Sequence, residues 1–202
     1  MAVIPVFSQA ANVDPEGSIE PPTVYQLSID GKKFELKRGV ETELPIEVKN
    51  PKVILDFEPY KEFTYAGIYF KYPVNFSFEA ELGDESVKMW NLSGNNSVLM
   101  LQRYAMEMDH QTMAQLLVPR YGEENTRVTD CFLQLNGLKV PGTRVIAAFG
   151  GSTISQEVYS FRLKNSSILL ILQDSLDIDE KPTKEGAELK QLIENTFKIT
   201  EE

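Results

Sequence analysis

The sequence predicts an α+β fold: a central antiparallel sheet laid out as a meander, sandwiched by helices, with an N-terminal β-hairpin extension. Three observations carry this. Four long strand-like runs, at residues 127–135, 138–149, 153–163 and 167–174, are joined by Asn136-Gly137, Gly150-Gly151 and Asn165-Ser166, and connections this short join antiparallel neighbours. Residues 145–149 and 168–172 are continuously apolar, as in strands covered on both faces. Two segments carry apolar stripes at helical spacing.

The elements follow in chain order. Residues 1–22 read as a flexible tail. Residues 2–7 are apolar, and Ser8-Gln9-Ala10-Ala11 is like the small-residue end of a signal peptide, but no basic run precedes them. Either a precursor begins upstream or this is a plain tail. The first reading is preferred, and with it an extracytoplasmic (periplasmic or secreted) location. Asn12 to Pro22 read as a linker, broken by Asp14-Pro15, Glu16-Gly17 and Pro21-Pro22. Residues 23–66 form a hairpin extension or small β-subdomain. Strands at 25–29 and 32–36 flank Asp30-Gly31, a type I′ turn pair. Further short strands are expected at 44–48 and 53–57. The main domain spans 67–202. Its first helix starts after the N-cap Asp109, carries Met113, Leu116 and Leu117 on one face, and stops at Pro119 and Gly122. The last helix covers 183–198, with Leu189, Leu192, Ile193, Thr196 and Phe197 as its stripe; Gly186 weakens its first turn by about 1 kcal/mol relative to alanine.

Nine aromatics crowd residues 57–78. Phe76 and Phe78 alternate with polar residues and read as core. Tyr60, Phe63 and Tyr65 stand beside Pro59, Lys61 and Glu62 in a less regular setting. They are the candidate interaction surface, because Tyr and Phe combine contact area with low entropy cost.

The chemistry is bounded by scarcity. The chain has one histidine, His110, and one cysteine, Cys131. A zinc site needs several imidazoles or thiolates, a Ser-His-Asp or Cys-His arrangement would have to use His110, and a thiol nucleophile would have to be Cys131. Cys131 alternates with Leu133 and Leu135, the setting of a small buried hydrophobe. The carboxylates Asp174, Asp177, Asp179 and Glu180 lack the glycine and distal glutamate of a calcium loop. They read as solvated acids leading into a helix. No catalytic, metal or cofactor-binding residue is assigned, and no cofactor is expected. The Asn-x-Ser triplets at Asn75, Asn91, Asn95 and Asn165 read as chance plus turn chemistry rather than glycan acceptors, Asn75 falling in an expected strand. A net charge of −10 disfavours nucleic acid, which takes a basic face. Lys32, Lys33, Lys37 and Arg38 read as an edge guarded against unwanted pairing. No run approaches the ~20 apolar residues of a bilayer span, so no membrane insertion is expected.

One further pattern covers residues 67–199. Ile68-Tyr69-Phe70-Lys71-Tyr72-Pro73 with Val74-Asn75-Phe76, then Val98-Leu99-Met100-Leu101, Gln111-Thr112-Met113-Ala114-Gln115-Leu116, Leu135-Asn136-Gly137-Leu138 and Ile193-Glu194-Asn195-Thr196-Phe197, together resemble the PsbP/Mog-type family. Many members carry Gly-Trp where this chain reads Asn75-Phe76. The resemblance implies an antiparallel sheet between helical layers. It also implies a binding or assembly role, as in extrinsic photosystem II subunits and Ran-binding transport factors. The expected function is therefore a non-catalytic protein-interaction or accessory module whose partner is another protein. The alternatives are a carboxylate-dependent hydrolase and a carrier of a small apolar ligand.

Overall fold

A computed structural model describes residues 17–47 and 49–200. The signal-peptide-like stretch and the first part of the linker lie outside the described residues. Thirteen strands and two α-helices are present among them. The chain opens with β1 (Val24–Ile29), β2 (Lys32–Lys37) and β3 (Val53–Phe57), a three-stranded sheet in the order β2-β1-β3. Asp30 and Gly31 both take positive φ in the β1–β2 turn, as the dipeptide requires. The strand expected at 44–48 is absent from its described part: residues 44–47 lie outside any strand, and Val48 lies outside the described residues.

The main sheet has seven antiparallel strands. One half is β6 (Ser77–Glu81), β7 (Val87–Ser93) and β8 (Ser97–Tyr104). The other is β12 (Ser167–Leu176), β11 (Ser152–Arg162), β10 (Leu138–Phe149) and β9 (Thr126–Leu135), the expected meander. The two halves join at β8–β12. Helix α1 (His110–Tyr121) carries the chain from β8 to the far edge at β9. Asp109 caps it by accepting the Thr112 N–H at 2.7 Å, and Gly122 with positive φ closes it.

Alternation along β12 explains its unbroken apolar run. Ile168, Leu170 and Leu172 join one core cluster, and Leu169 and Ile171 the other. The smaller cluster lies beneath Met113, Ala114 and Leu117 of α1. The larger lies beneath helix α2 (Lys184–Thr196). It also includes a second small sheet: β4 (Tyr60–Phe63), β5 (Ile68–Pro73) and β13 (Lys198–Ile199), in the order β13-β5-β4.

That second small sheet overturns the expected fold class. The molecule is β-rich: half of the described residues are strand and 15% are helix. Each face of the main sheet receives a single helix, not a helical layer. The aromatic run supplies the rest of the cover as strands, with Phe63, Ile68, Phe70 and Tyr72 fully buried. The physical reason is that alternating aromatics bury one side of a strand as well as a helix stripe would. Their rings interlock: Phe63 stacks on Phe70 at 4.6 Å and meets Trp90 edge-on at 5.7 Å. Because β4 pairs with β5, the N-terminal extension ends before Tyr60, not at residue 66. Asn75 also departs from expectation, sitting exposed in the β5–β6 turn.

Two carboxylates seat α2. Asp174, at the end of β12, accepts from the Thr183 N–H (2.8 Å), the Thr183 hydroxyl (2.6 Å) and the Ser97 hydroxyl (2.9 Å). Glu185, in the first helical turn, reaches back to the β7–β8 connection and accepts the N–H groups of Asn95, Asn96 and Ser97. Burial of Leu189, Ile193 and Phe197 then contributes about 1.5–3 kcal/mol for each side chain. This seating accounts for Gly186: a Cβ there would lie 2.2 Å from the Asp174 carboxyl carbon. Gly186→Ala is therefore expected to destabilise the fold by about 1–3 kcal/mol through overpacking, although alanine favours a helix by about 1 kcal/mol. Urea unfolding of the two proteins measures the sign.

Candidate functional site

The three aromatics expected to form one surface are separated by strand alternation. Tyr60 is 43% exposed, whereas Phe63, three residues on and so on the other face of β4, is fully buried. Tyr65 is half-buried, edge-on to Phe63, and its hydroxyl donates to the Ile19 carbonyl at 2.9 Å. Phe63 and Tyr65 therefore serve packing, and only Tyr60 is open. Tyr65 also helps hold residues 17–22, which are not a loose linker. The Gly17 carbonyl accepts from Trp90 Nε1 at 2.9 Å, and Glu20 pairs with the buried Lys61 at 2.6 Å. Gly17 is required there, since a Cβ would lie 2.5 Å from the Tyr65 ring.

His110 and Cys131 do not meet. His110 Nδ1 lies 2.8 Å from the Thr143 hydroxyl, on the α1 side of the sheet. Cys131 packs against the cluster on the α2 side. Burial pushes the Cys131 thiol up, away from the thiolate that nucleophilic chemistry needs.

The most concentrated polar chemistry lies beneath α2. Glu157 is buried, and its carboxylate accepts from the Tyr159 hydroxyl (2.5 Å), Lys190 Nζ (2.7 Å) and the Arg144 guanidinium (3.0 Å from Nε). Burial alone would raise its pKa. The bonds from Lys190, Tyr159 and Arg144 outweigh that and hold it below the ordinary glutamate value. The same carboxylate, with burial, pushes the Tyr159 hydroxyl far up. This is a saturated structural ion cluster: its acid is ionised and its donors are occupied. The adjacent cavity, about 260 Å³, is lined by Arg144, Ser155, Glu157, Leu172, Lys190 and Glu194. It is slightly smaller than a usual ligand pocket, and beside these charged groups it is lined by apolar Leu176, Pro182 and Leu189. A larger open groove, about 720 Å³, is lined by carboxamides including Asn75, Asn95, Asn96 and Asn195. Asp174 is engaged in seating α2, and among the described residues no group of three or more His, Cys, Asp or Glu side chains is placed to hold a metal ion. No helix among them is long and apolar enough to cross a membrane.

The open chemistry of the molecule is hydrophobic, and it lies on the first sheet. The registers Tyr25↔Phe57, Leu27↔Leu55, Ile29↔Val53, Tyr25↔Leu36 and Leu27↔Phe34 place eight large apolar side chains on one face. Directly opposed residues share a side, and the alternation sends Gln26, Ser28, Lys33, Glu35 and Asp56 to the other, together with Val24 and the exposed Ile54. The β3 members remain uncovered: Val53 is 55% exposed, Leu55 62% and Phe57 51%. Contiguous exposed apolar area of this kind is the surface that contacts between proteins commonly use. Sequence reasoning passed over it. Both flanking strands were legible, but the 53–57 run was assigned without its register. The period of two in β1 and β2, extended to Val53, Leu55 and Phe57, is the signal that locates it.

The Glu157 cluster yields a pH prediction. Its folded pKa is depressed, so its contribution is present above the unfolded value of 4.5 and is lost as pH falls below it. Glu157→Gln is expected to lose about 1–3 kcal/mol at neutral pH, the partly exposed Arg144 and Lys190 softening the loss by turning to water. The gap between the two proteins narrows as pH drops below about 4. Denaturation midpoints over that range check it.

No family model and no curated protein matches this chain. Among solved structures it is similar to a Pseudomonas aeruginosa protein of unknown function, with a TM-score of 0.36 and 14% identity over 68% of this chain and 95% of that one.

Proposed function

We propose that this chain is a non-catalytic protein-interaction module, and that it takes its partner on the apolar face of the β2-β1-β3 sheet. The observation that carries this reading is the exposure of Val53, Leu55 and Phe57 beside Tyr25, Leu27, Phe34 and Leu36. Covering such a face stabilises a complex by roughly 25 cal/mol for each Å² of apolar surface removed from water. The polar centres support the same reading from the other side. Glu157 and Asp174 are occupied in holding α2, and the single thiol and single imidazole lie on opposite faces of the main sheet. The rest of the fold then serves as a rigid base that presents the small sheet.

Site-specific photocrosslinking tests this on the full chain in its source cells. A benzophenone side chain at position 34 or 36, on the apolar face, is expected to capture a different protein as a discrete adduct. The same group at 33 or 35, on the polar face, is expected to capture none. Equal labelling from both faces, no adduct from 34 and 36, or adducts only with further copies of this chain would each overturn the proposal.

A further inference from the structure

The two edges of the first sheet are built differently. Strand β2 carries Lys32, Lys33 and Lys37, the usual guard against another strand. Strand β3 reads Val-Ile-Leu-Asp-Phe, has no lysine, and is exposed along its whole length. Its free main-chain groups can be assigned. The Glu58 N–H donates to the Val24 carbonyl and the Asp30 N–H to the Lys52 carbonyl, each at 2.9 Å. Both fall on the β1–β3 register, and hydrogen-bonded pairs recur at every second residue. Residues 52, 54, 56 and 58 therefore point their N–H and C=O groups toward β1. Val53, Leu55 and Phe57 point theirs out of the sheet, where no further strand among the described residues pairs with them and only the Phe57 N–H is met, by the exposed Asp56 carboxylate at 2.8 Å.

The sequence around this edge is symmetric in kind about Leu55 at three of its four flanking pairs, Ile54 and Asp56 being the exception. Pro51 mirrors Pro59, Lys52 mirrors Glu58, and Val53 mirrors Phe57. We propose that the protein forms a two-fold symmetric dimer in which β3 pairs antiparallel with β3 of a second copy, in the register centred on Leu55.

In that register Leu55 faces the partner's Leu55, and Val53 faces the partner's Phe57. All three outward-pointing residues exchange both of their main-chain bonds, the partner's Val53 carbonyl replacing the Asp56 carboxylate at the Phe57 N–H. Lys52 comes opposite the partner's Glu58, twice by symmetry, as an opposite-charge cross-strand pair. Moving the centre by one residue either way brings Pro51 opposite Phe57 or Pro59 opposite Val53, and proline has no N–H to give. The prolines thus bound the pairing window and select the register. A two-fold interface is self-complementary by necessity, and this segment meets that condition in its central apolar pairs, in the charges of Lys52 and Glu58 and in hydrogen-bond parity, while Ile54 comes opposite the partner's Asp56 on the other face. The dimer would join two apolar faces into one six-stranded platform. It is independent of the partner proposed above, because positions 34 and 36 lie on the strand farthest from this edge.

Sedimentation velocity of the full chain over a wide concentration range tests it, with circular dichroism to confirm folding. The wild type is expected to show a monomer–dimer equilibrium. Lys52→Glu and Glu58→Lys each place like charges opposite one another and are expected to weaken the dimer about tenfold. The double variant Lys52→Glu/Glu58→Lys is expected to recover the wild-type constant within about twofold. A protein that stays monomeric overturns the proposal. So does a dimer indifferent to the single changes, or one that the double change fails to restore.

Discussion

Burial of β12 on both of its faces is the constraint from which the rest of the architecture follows. A strand of five consecutive large aliphatic residues, Ile168 to Leu172, cannot leave either side in water. One side takes α1 and the other takes α2 with the β13-β5-β4 sheet. Those two layers are supplied by the chain immediately before and after the meander and by the aromatic run upstream of it. Neighbouring strands inherit the same division, which is why Val145 and Val158 lie under α1 while Leu133 and Tyr159 lie under α2. It also separates His110 from Cys131.

Packing alone would let α2 slide along its layer. Polar contacts remove that freedom. Asp174 and Glu185 hold the helix N-terminus to β12 and to the β7–β8 connection, and Glu157 holds its middle through Lys190. The Thr196 hydroxyl completes the series by accepting the Lys71 N–H of β5 at 3.1 Å. The acids therefore act as position markers between layers. At Glu157 the donors from Lys190, Tyr159 and Arg144 also hold the carboxyl below the ordinary glutamate value.

Much of this was legible in the linear sequence. The meander, its Asn136-Gly137 and Gly150-Gly151 turns, the Asp109 cap and the Asp30-Gly31 hairpin are local matters, decided within a few residues. The unbroken apolar run in β12 also announced cover on both sides. What stayed hidden depends on contacts distant in sequence. Nothing near Tyr60 reveals that it begins a strand paired with Pro73, so Phe63 looked as open as its neighbour. The same applies to the cover itself. A period of two says that a side is buried but not what buries it, and strands took the place assigned to helices. Gly186 is a further case: its helix propensity is readable, whereas the Asp174 carboxyl that forbids a larger residue arrives from twelve positions upstream.

The strap at residues 17–22 has a use for spectroscopy. Trp90 is the chain's sole tryptophan, it is almost wholly buried, and its indole N–H is bonded to the Gly17 carbonyl. The strap leads directly into β1, the central strand of the proposed contact sheet. Intrinsic fluorescence thus observes one well-defined junction between that sheet and the body. A shift in emission wavelength would register tension or release of the strap without any added dye.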